Sequence, residues 1–596
     1  LYIYNIMSSD KLIFDLSQEI EGSPNVFVKK DWLNILDNQN QNYNSNQSVL
    51  DTSQLANSNK YMSYREGYLS IPLLLTLLGP GAWSGELANA SRFTPATAAT
   101  NADYSLGLKN WFGSIIHSFT LDYNGTTIIQ QTPYVGMWNC FKLMTSLSWN
   151  DVQTQGSTIG FYPDTPTSWT LYEAAAAAGQ GICNNSISPA SAIVPAAFTG
   201  FNIYNSGRGN AGLANRIQFI NYDPAGTPGD AAYSTLFSAA NCQSLWKSYI
   251  STKVNGVDNA NAGVFQISVV GTIMLKHIHS FFAMCPLLKG VFMKMTANLN
   301  SSTSQFTSAG AGAALTLVSI QNAVGGVNPL MITSADAGQG NAAVYRAGSF
   351  LANVSVGAVC LNSIMNSTAG VVQGQLSRSI YLYIPAYTFN PVFEQAYISS
   401  PVKQIQYTDV YQYQVINIGA GQQFNNLLTN GIANIKSVLI LPYFCSTTPA
   451  VNGINPSTNL PPGIPVFQSP FDPAGAGPTS PLTLLTNFNV VVSGQNSIYN
   501  TQRYSFEQFN NQLYGCNSVN GGQTDGLTSA LFNSLGFEME YCYFYVNVSR
   551  MLPVEESVPK SVQIIGQNAT QNAIDLFCFI EYGVEVDVDI LTGARV

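Results

Sequence analysis

Hydrophobic and polar positions alternate along much of the chain, and the alternation predicts β-strands. Phe119, Leu121 and Tyr123 stand at every second position, as do Val490 and Val492. The run Val584, Val586, Val588 and Ile590 is interleaved with Glu585, Asp587 and Asp589, which gives one dry face and one wet face. Gly, Pro and Asn clusters separate these runs. Helical spacing is rare and short. Leu108, Trp111, Phe112 and Ile115 fit one helical face, as do Met137, Cys140, Phe141 and Met144, and Ala174 to Ala178 suits a turn or two. The fold class that follows is all-β, with a few short inserted helices and long loops.

The strands recur in order. YLSIPLLL (Tyr68 to Leu75) resembles VLILPYFC (Val438 to Cys445), with Pro72 falling on Pro442, an offset of 370. FTLDYNG (Phe119 to Gly125) matches FNVVVSG (Phe488 to Gly494), an offset of 369. An amphipathic helix follows each, with Met137, Cys140 and Met144 in the first half and Phe506, Phe509 and Leu513 in the second. A long strand is expected next in both halves (Val264 to Met284; Glu538 to Met551). A shorter one follows (Val291 to Leu299; Ser561 to Gln567), then a strongly apolar one (Ser379 to Phe389; Leu576 to Ile590). Matches in sequence at a constant offset predict two copies of one β domain in tandem. The expected division is an N-terminal segment over 1–44, a first copy over 45–398 and a second over 399–596. The first copy is larger chiefly through an insertion over 148–262, too long for a bare loop and expected to form an outward tower with short strands of its own. A second long loop, Ser446 to Leu482, holds nine prolines and one charge, Asp472. It is predicted to be stiff and extended, and its Val466, Phe467 and Phe471 point to packing against a neighbouring domain or chain.

Composition narrows the classes. Of 596 residues only 55 are charged (23 Lys and Arg, 32 Asp and Glu), 9%, against about 25% in an ordinary domain. Disorder needs low hydrophobicity and high net charge, whereas 46% of this chain is apolar. A net charge of −9 with no run of more than two basic residues speaks against a nucleic-acid binder. The longest apolar stretch, Ile71 to Leu78, is short and interrupted by Pro72 and Thr76, so no transmembrane segment is expected. Nine cysteines are scattered singly with no C-x-x-C pair, as expected of buried thiols in a reducing compartment. The start is expected to be cytosolic in type, with no signal peptide; residues 1–6 precede Met7 and are expected to lie upstream of the natural initiator. Without a secretory signal, the N-x-S/T triplets at Asn89, Asn124, Asn300 and Asn568 are expected to be accidental.

A search for chemistry yields no credible active site. The histidines are His117, His277 and His279. An H-x-H pair on an alternating strand would point both rings to one face, but zinc needs a third ligand and usually a fourth, and no Cys or carboxylate cluster adjoins the pair. No G-x-S-x-G context marks a nucleophile. The Gly-rich pieces near Gly310 and over Gly419 to Gly421 lack a following K-S/T. Glu555 and Glu556 follow a proline and are expected to be solvated. The expectation is therefore no enzyme: no catalytic residue, no cofactor-binding residue, no cofactor and no metal. What remains is surface. Asn, Gln, Ser, Thr and Tyr desolvate at less cost than Lys and Glu and lose less rotamer entropy. Interface cores are depleted in charge and enriched in aromatics, which here make up 12%. Such flanks suit contact with other copies of the same chain.

Several segments carry a specific resemblance. They are GLKNWFGSIIHSFTLDYNGTTI (Gly107 to Ile128), HSFFAMCPLLKGVFMKMTANLN (His279 to Asn300), the stretch from Ser379 to Phe444, SPFDPAGAGPTSPLTLLTNFNVVVSGQNSIYN (Ser469 to Asn500) and FIEYGVEVDVDILTGARV (Phe579 to Val596). The chain resembles the double jelly-roll major capsid proteins of the virophage and Polinton-like lineage of double-stranded DNA viruses, and within it those of Sputnik-like virophages. The resemblance covers about 45–596 and is unspecific in the first 45 residues and in the insertion. It implies two tandem eight-stranded jelly-roll sandwiches and a homotrimer of pseudo-hexagonal outline that tiles an icosahedral shell. It implies location in the virion after assembly in the host cytoplasm, with penton and minor capsid proteins as further partners. The long loops would face outward, and the N-terminal segment and the bases of the rolls inward. The first 45 residues hold only Lys11, Lys29 and Lys30 as basic groups, so no strong direct binding of nucleic acid is expected. Two other classes stay open: a secreted or surface lectin-like or adhesin sandwich, and an all-β glycosidase, which would need two carboxylates about 5–10 Å apart in a cleft.

Overall fold

A computed structural model describes residues 25–79, 104–163, 250–308, 315–334, 350–358, 379–445, 464–498, 503–519, 531–549 and 558–595, apart from scattered positions within them. Sixteen strands build two sandwiches of eight. The first set is β1 (Phe27–Leu36), β2 (Gln47–Asp51), β3 (Tyr68–Gly79), β4 (Ile116–Tyr123), β5 (Thr126–Ile129), β6 (Gly263–Met274), β7 (Met293–Leu299) and β8 (Tyr381–Phe389). The second is β9 (Val402–Ile418), β10 (Gln423–Ile432), β11 (Ile435–Phe444), β12 (Leu485–Val492), β13 (Gln495–Asn496), β14 (Phe544–Asn547), β15 (Lys560–Asn568) and β16 (Ile574–Asp589).

In the first module β1 pairs β8, β8 pairs β3 and β3 pairs β6, while β2, β7, β4 and β5 form the facing sheet. In the second, the orders are β9-β16-β11-β14 and β10-β15-β12-β13. The two sets are the same pattern: strands one, eight, three and six in one sheet, two, seven, four and five in the other. All these pairings are antiparallel. This interleaving of the two sheets is the jelly-roll topology, present twice. The aligned segments fall on equivalent strands, Tyr68 to Leu75 on β3 and Val438 to Phe444 on β11. The N-G and S-G turns likewise take the same conformation, with Asn124 and Gly125 at φ 47° and 82° and Ser493 and Gly494 at 48° and 82°.

Four sequence expectations need correction. The boundary at residue 45 leaves out β1, which pairs with β8 from Phe27↔Phe389 to Leu36↔Tyr381 and so belongs to the first module. Its sequence, FVKKDWLNIL, exposes most of its side chains, so no apolar alternation marks it. The strand expected over Val264 to Met284 stops at Met274; Leu275–Ile278 and Ser280–Met284 are short helices, and His277 lies in the first while His279 caps the second. The strand expected over Glu538 to Met551 is a helix, Ser534–Met539, followed by β14. The size difference has a second source between β7 and β8, where strands Ser302–Ser308, Leu315–Asn322 and Phe350–Ala358 extend the first sheet. Most of the insertion over 148–262, and Ala174 to Ala178, lie outside the described residues. Its beginning is a helix, Trp149–Ile159, with a capping box in which Ser148 and Asp151 satisfy each other's backbone N–H.

Candidate assembly interface

Two helices occupy equivalent places: α1 (Val135–Ser146), after β5, and α2 (Phe506–Val519), after β13. Met137, Cys140 and Met144 of α1, and Phe509 and Leu513 of α2, are buried in their own modules. The opposite side of α1 meets the second module. Trp138 lies 6.2 Å from Phe579, and Phe141 lies 5.3 Å from Tyr543 and 5.4 Å from Tyr545, ring centre to ring centre. Just before α1, Tyr134 packs edge-on against Phe577 and Phe467 at 5.0 and 5.8 Å.

This docking explains the sequence of β16. Leu576, Cys578 and Ile580 face the interior of the sandwich, and Phe577 and Phe579 face the first module; all five are buried. A strand covered on both faces needs an unbroken apolar run, and the chain supplies LFCFI. Beyond α1 alternation returns, with Val586 and Val588 buried and Glu585 exposed.

Polar contacts fix the register of the seam. Lys142 Nζ stands 3.2 Å from Glu581 Oε1, and Ser437 Oγ donates to Glu581 Oε2 at 2.7 Å. Burial pushes the Glu581 carboxyl up, but Lys142 and the Ser437 hydroxyl outweigh it and hold it below its ordinary value. His279 Nε2 lies 3.3 Å from Asp409 Oδ1, Thr132 Oγ1 donates to the Val410 carbonyl at 2.8 Å, and the Tyr407 hydroxyl donates to the Ile128 carbonyl at 3.0 Å. The proline-rich loop completes the seam. Phe467 packs on Tyr443 and Phe577 of the second module and on Tyr134 of the first. The wholly buried Lys109 donates to the carbonyls of Phe467 and Ser469 at 3.3 and 2.8 Å. Phe467 thus packs across domains, as its sequence setting suggested; Phe471 lies outside the described residues.

Among the described residues no helix covers the same face of the first module. On β8, Leu382 and Ile384 point inward, while Tyr381, Tyr383 and Tyr387 stand half-buried on the other side. Tyr383 stacks on Tyr68 at 5.0 Å, Trp32 lies 5.8 Å from Tyr68, and Phe27 lies 4.6 Å from Tyr387. Trp32 is 52% exposed and Phe27 36%.

The three histidines are not brought together into a site. His117 is buried beside Tyr134, and burial lowers its pKa to about 4; His277 is lowered to about 4 by burial and by Lys276. Among the described residues no group of three or more His, Cys, Asp or Glu is placed to hold a metal ion, and no helix is long and apolar enough to cross a membrane. The described cysteines (Cys140, Cys285, Cys445, Cys542 and Cys578) are buried and unbridged. Asn300 and Asn568 are buried, while Asn124 sits in an exposed turn; Asn89, Glu555 and Glu556 lie outside the described residues. Sequence reasoning missed Lys109, Lys142 and Glu581. Their signal was a lone charge inside an apolar stretch (GLKNWF, CFKLM, FIEYG).

No family model matches the chain, and no curated protein matches it. Solved structures do. The architecture is similar to that of viral capsid proteins. The structure of the Sputnik virophage is similar over 100% of this chain and 93% of its own, at 10% identity and a TM-score of 0.47. The Faustovirus major capsid protein is similar over 97% of this chain and 94% of its own, at 10% identity and a TM-score of 0.39. The mavirus major capsid protein is similar over 100% and 94%, at 10% identity and a TM-score of 0.39.

Proposed function

We propose that the chain is a major capsid protein: a homotrimer whose six jelly rolls form a pseudo-hexagonal capsomer in the icosahedral shell of a double-stranded DNA virus. The observation that carries this reading is the pair of equivalent sheet faces. The outer face of β16 is covered by α1 of the same chain, and the outer face of β8 bears an aromatic ladder that no described helix covers. Helix α2 stands where α1 stands, one module on. Seating α2 of one copy on the Tyr68–Tyr383 ladder of the next repeats the intrachain relation head to tail, and a heterologous contact of this kind closes into a ring. Three copies give six modules. The positions of α2 equivalent to Trp138, Phe141 and Lys142 at the 369-residue offset are Glu507, Asn510 and Asn511. The contact between copies is therefore more polar than the seam within one, in keeping with a surface poor in charge and rich in amides.

In this reading the modules run from β1 to about residue 398 and from 399 onward. The chain has no catalytic, cofactor-binding or metal-binding residue, and its work is burial of surface between copies, in the virion, after assembly in the host cytoplasm. Penton and minor capsid proteins complete the shell. Sedimentation velocity tests it: the purified chain is expected at three times its 64.2 kDa mass, with hexagonal outlines in negative-stain images. Tyr383→Asp with Trp32→Asp is expected to yield folded monomers. A wild-type chain that stays monomeric at micromolar concentration overturns the reading.

A further inference from the structure

Below α1 the seam opens into a cleft of about 790 Å³ between the modules, within the range of small-ligand sites. Four cationic side chains line it, Arg65, Lys142 and Lys276 from the first module and Lys436 from the second, with three carboxylates, Asp409, Glu581 and Glu585. One carboxylate is neutralised by a cation, Glu581 by Lys142, while Asp409 meets the imidazole of His279. Glu585 accepts from the neutral amides of Gln404 and Gln406 at 3.3 and 3.0 Å. That leaves Arg65, Lys276 and Lys436 facing the carboxylates of Asp409 and Glu585, a surplus of one positive charge, and none of the three forms an ion pair with a described carboxylate. His277, also on the wall, is held neutral at pH 7 by burial and by Lys276, and does not alter this balance. In a chain of net charge −9, a seam cleft with surplus positive charge drawn from both modules is selective for anions. Amide and hydroxyl donors stand beside the cations, among them Asn139, Asn547 and Ser549.

We propose that this cleft binds a compact polyphosphate and that the ligand ties the two modules together. Several linked phosphates meet three dispersed cations better than one anion does, and the volume accommodates a triphosphate with or without a nucleoside. The site does not depend on the capsid reading, because it lies within one chain. The test uses the full chain with sodium tripolyphosphate, ATP and adenosine, followed by titration calorimetry and thermal unfolding at constant ionic strength, with sulfate as the screening control. Saturable binding of tripolyphosphate and a rise in Tm that sulfate does not reproduce are expected. Lys276→Gln with Lys436→Gln is expected to weaken binding by about tenfold or more while leaving the ligand-free Tm nearly unchanged, since neither lysine pairs with a described carboxylate. Lys276→Gln alone, at an exposed position, gives the same direction should the double variant fold poorly. Equal affinity for tripolyphosphate and ATP identifies free polyphosphate as the ligand, and tighter ATP binding with none of adenosine identifies a nucleotide. Absence of saturable binding, an equal effect of sulfate, or full affinity in the lysine variants overturns the proposal.

Discussion

Lys142, on the helix of the first jelly roll, and Glu581, on the last strand of the second, form an ion pair 3.2 Å long at the seam, with the Glu581 side chain 8% exposed. Removing the cation strands a buried carboxylate left with only the neutral hydroxyls of Ser437 and Thr408. Lys142→Met is therefore expected to cost about 3 kcal/mol. Lys142→Met with Glu581→Gln, which keeps an acceptor for Ser437, is expected to recover most of that. Urea unfolding of the two variants and the wild type measures the difference.

The aromatic junction at Phe577 carries a larger load. Tyr134, Tyr443 and Phe467 all meet its ring edge-on, at 5.0, 5.4 and 5.3 Å. Phe577→Ala opens a cavity where the two modules and the proline-rich loop converge, and is expected to cost about 3–5 kcal/mol. Because the cavity lies at the seam, limited proteolysis should reach the proline-rich loop earlier in this variant than in the wild type.

Asn568 holds the turn between β15 and β16. Its amide donates to the carbonyls of Ile418, Gly419 and Asn572 at 3.0, 3.1 and 2.9 Å, and its side-chain oxygen accepts from the Thr570 N–H at 2.9 Å. Asn568→Ala leaves several buried backbone groups unpaired and is expected to cost about 2–3 kcal/mol. Asn568→Asp, which keeps the acceptor and loses the donors, is expected to be no better at neutral pH. Thermal unfolding of both variants measures this.

Two buried groups shape the response to pH in opposite directions. Burial raises the Asp37 carboxyl to about 6, and one of its oxygens has no hydrogen-bond partner. A raised carboxyl contributes stability that is full below its unfolded value near 4 and is lost as pH rises through about 6. Asp37→Asn, which can still accept from Tyr43, is expected to gain about 1 kcal/mol at pH 8 and nothing at pH 4. His117, lowered to about 4 by burial, works the other way. Its contribution is full above pH 6.5 and is lost as pH falls toward 4, so His117→Gln is expected to flatten that acid limb. Tm against pH for both variants is the measurement.

The parts of the fold that showed in the sequence are those whose two faces differ. Val586 and Val588 against Glu585, and the paired β3, β4 and β8 segments with their repeats, announce themselves because one face is dry. The first strand did not, since Val28 and Trp32 are exposed and alternate with lysines and an aspartate. The stretch from Gly263 to Met284 concealed its end because an apolar run has no period; helices of four and five residues interrupt it without changing its composition. The assembly seam was legible only as an uncharged, aromatic composition. Its particular contacts join residues hundreds of positions apart, such as Lys109 with Phe467 and Lys142 with Glu581, and local pattern does not carry that information.

The double-sided burial of β16 sets the rate at which its residues can change. Phe577 and Phe579 are wedged between layers of one polypeptide, so a substitution there must be matched by another in the same molecule. Tyr381, Tyr383 and Trp32 touch only the ladder itself and its edge among the described residues, Tyr383 on Tyr68, Tyr381 beside Tyr383, Trp32 beside Tyr68 and under Lys30, and on the proposed reading they meet the next copy. Across related sequences, the outward positions of β8 should therefore change in step with the exposed positions of α2, while those of β16 stay large and apolar.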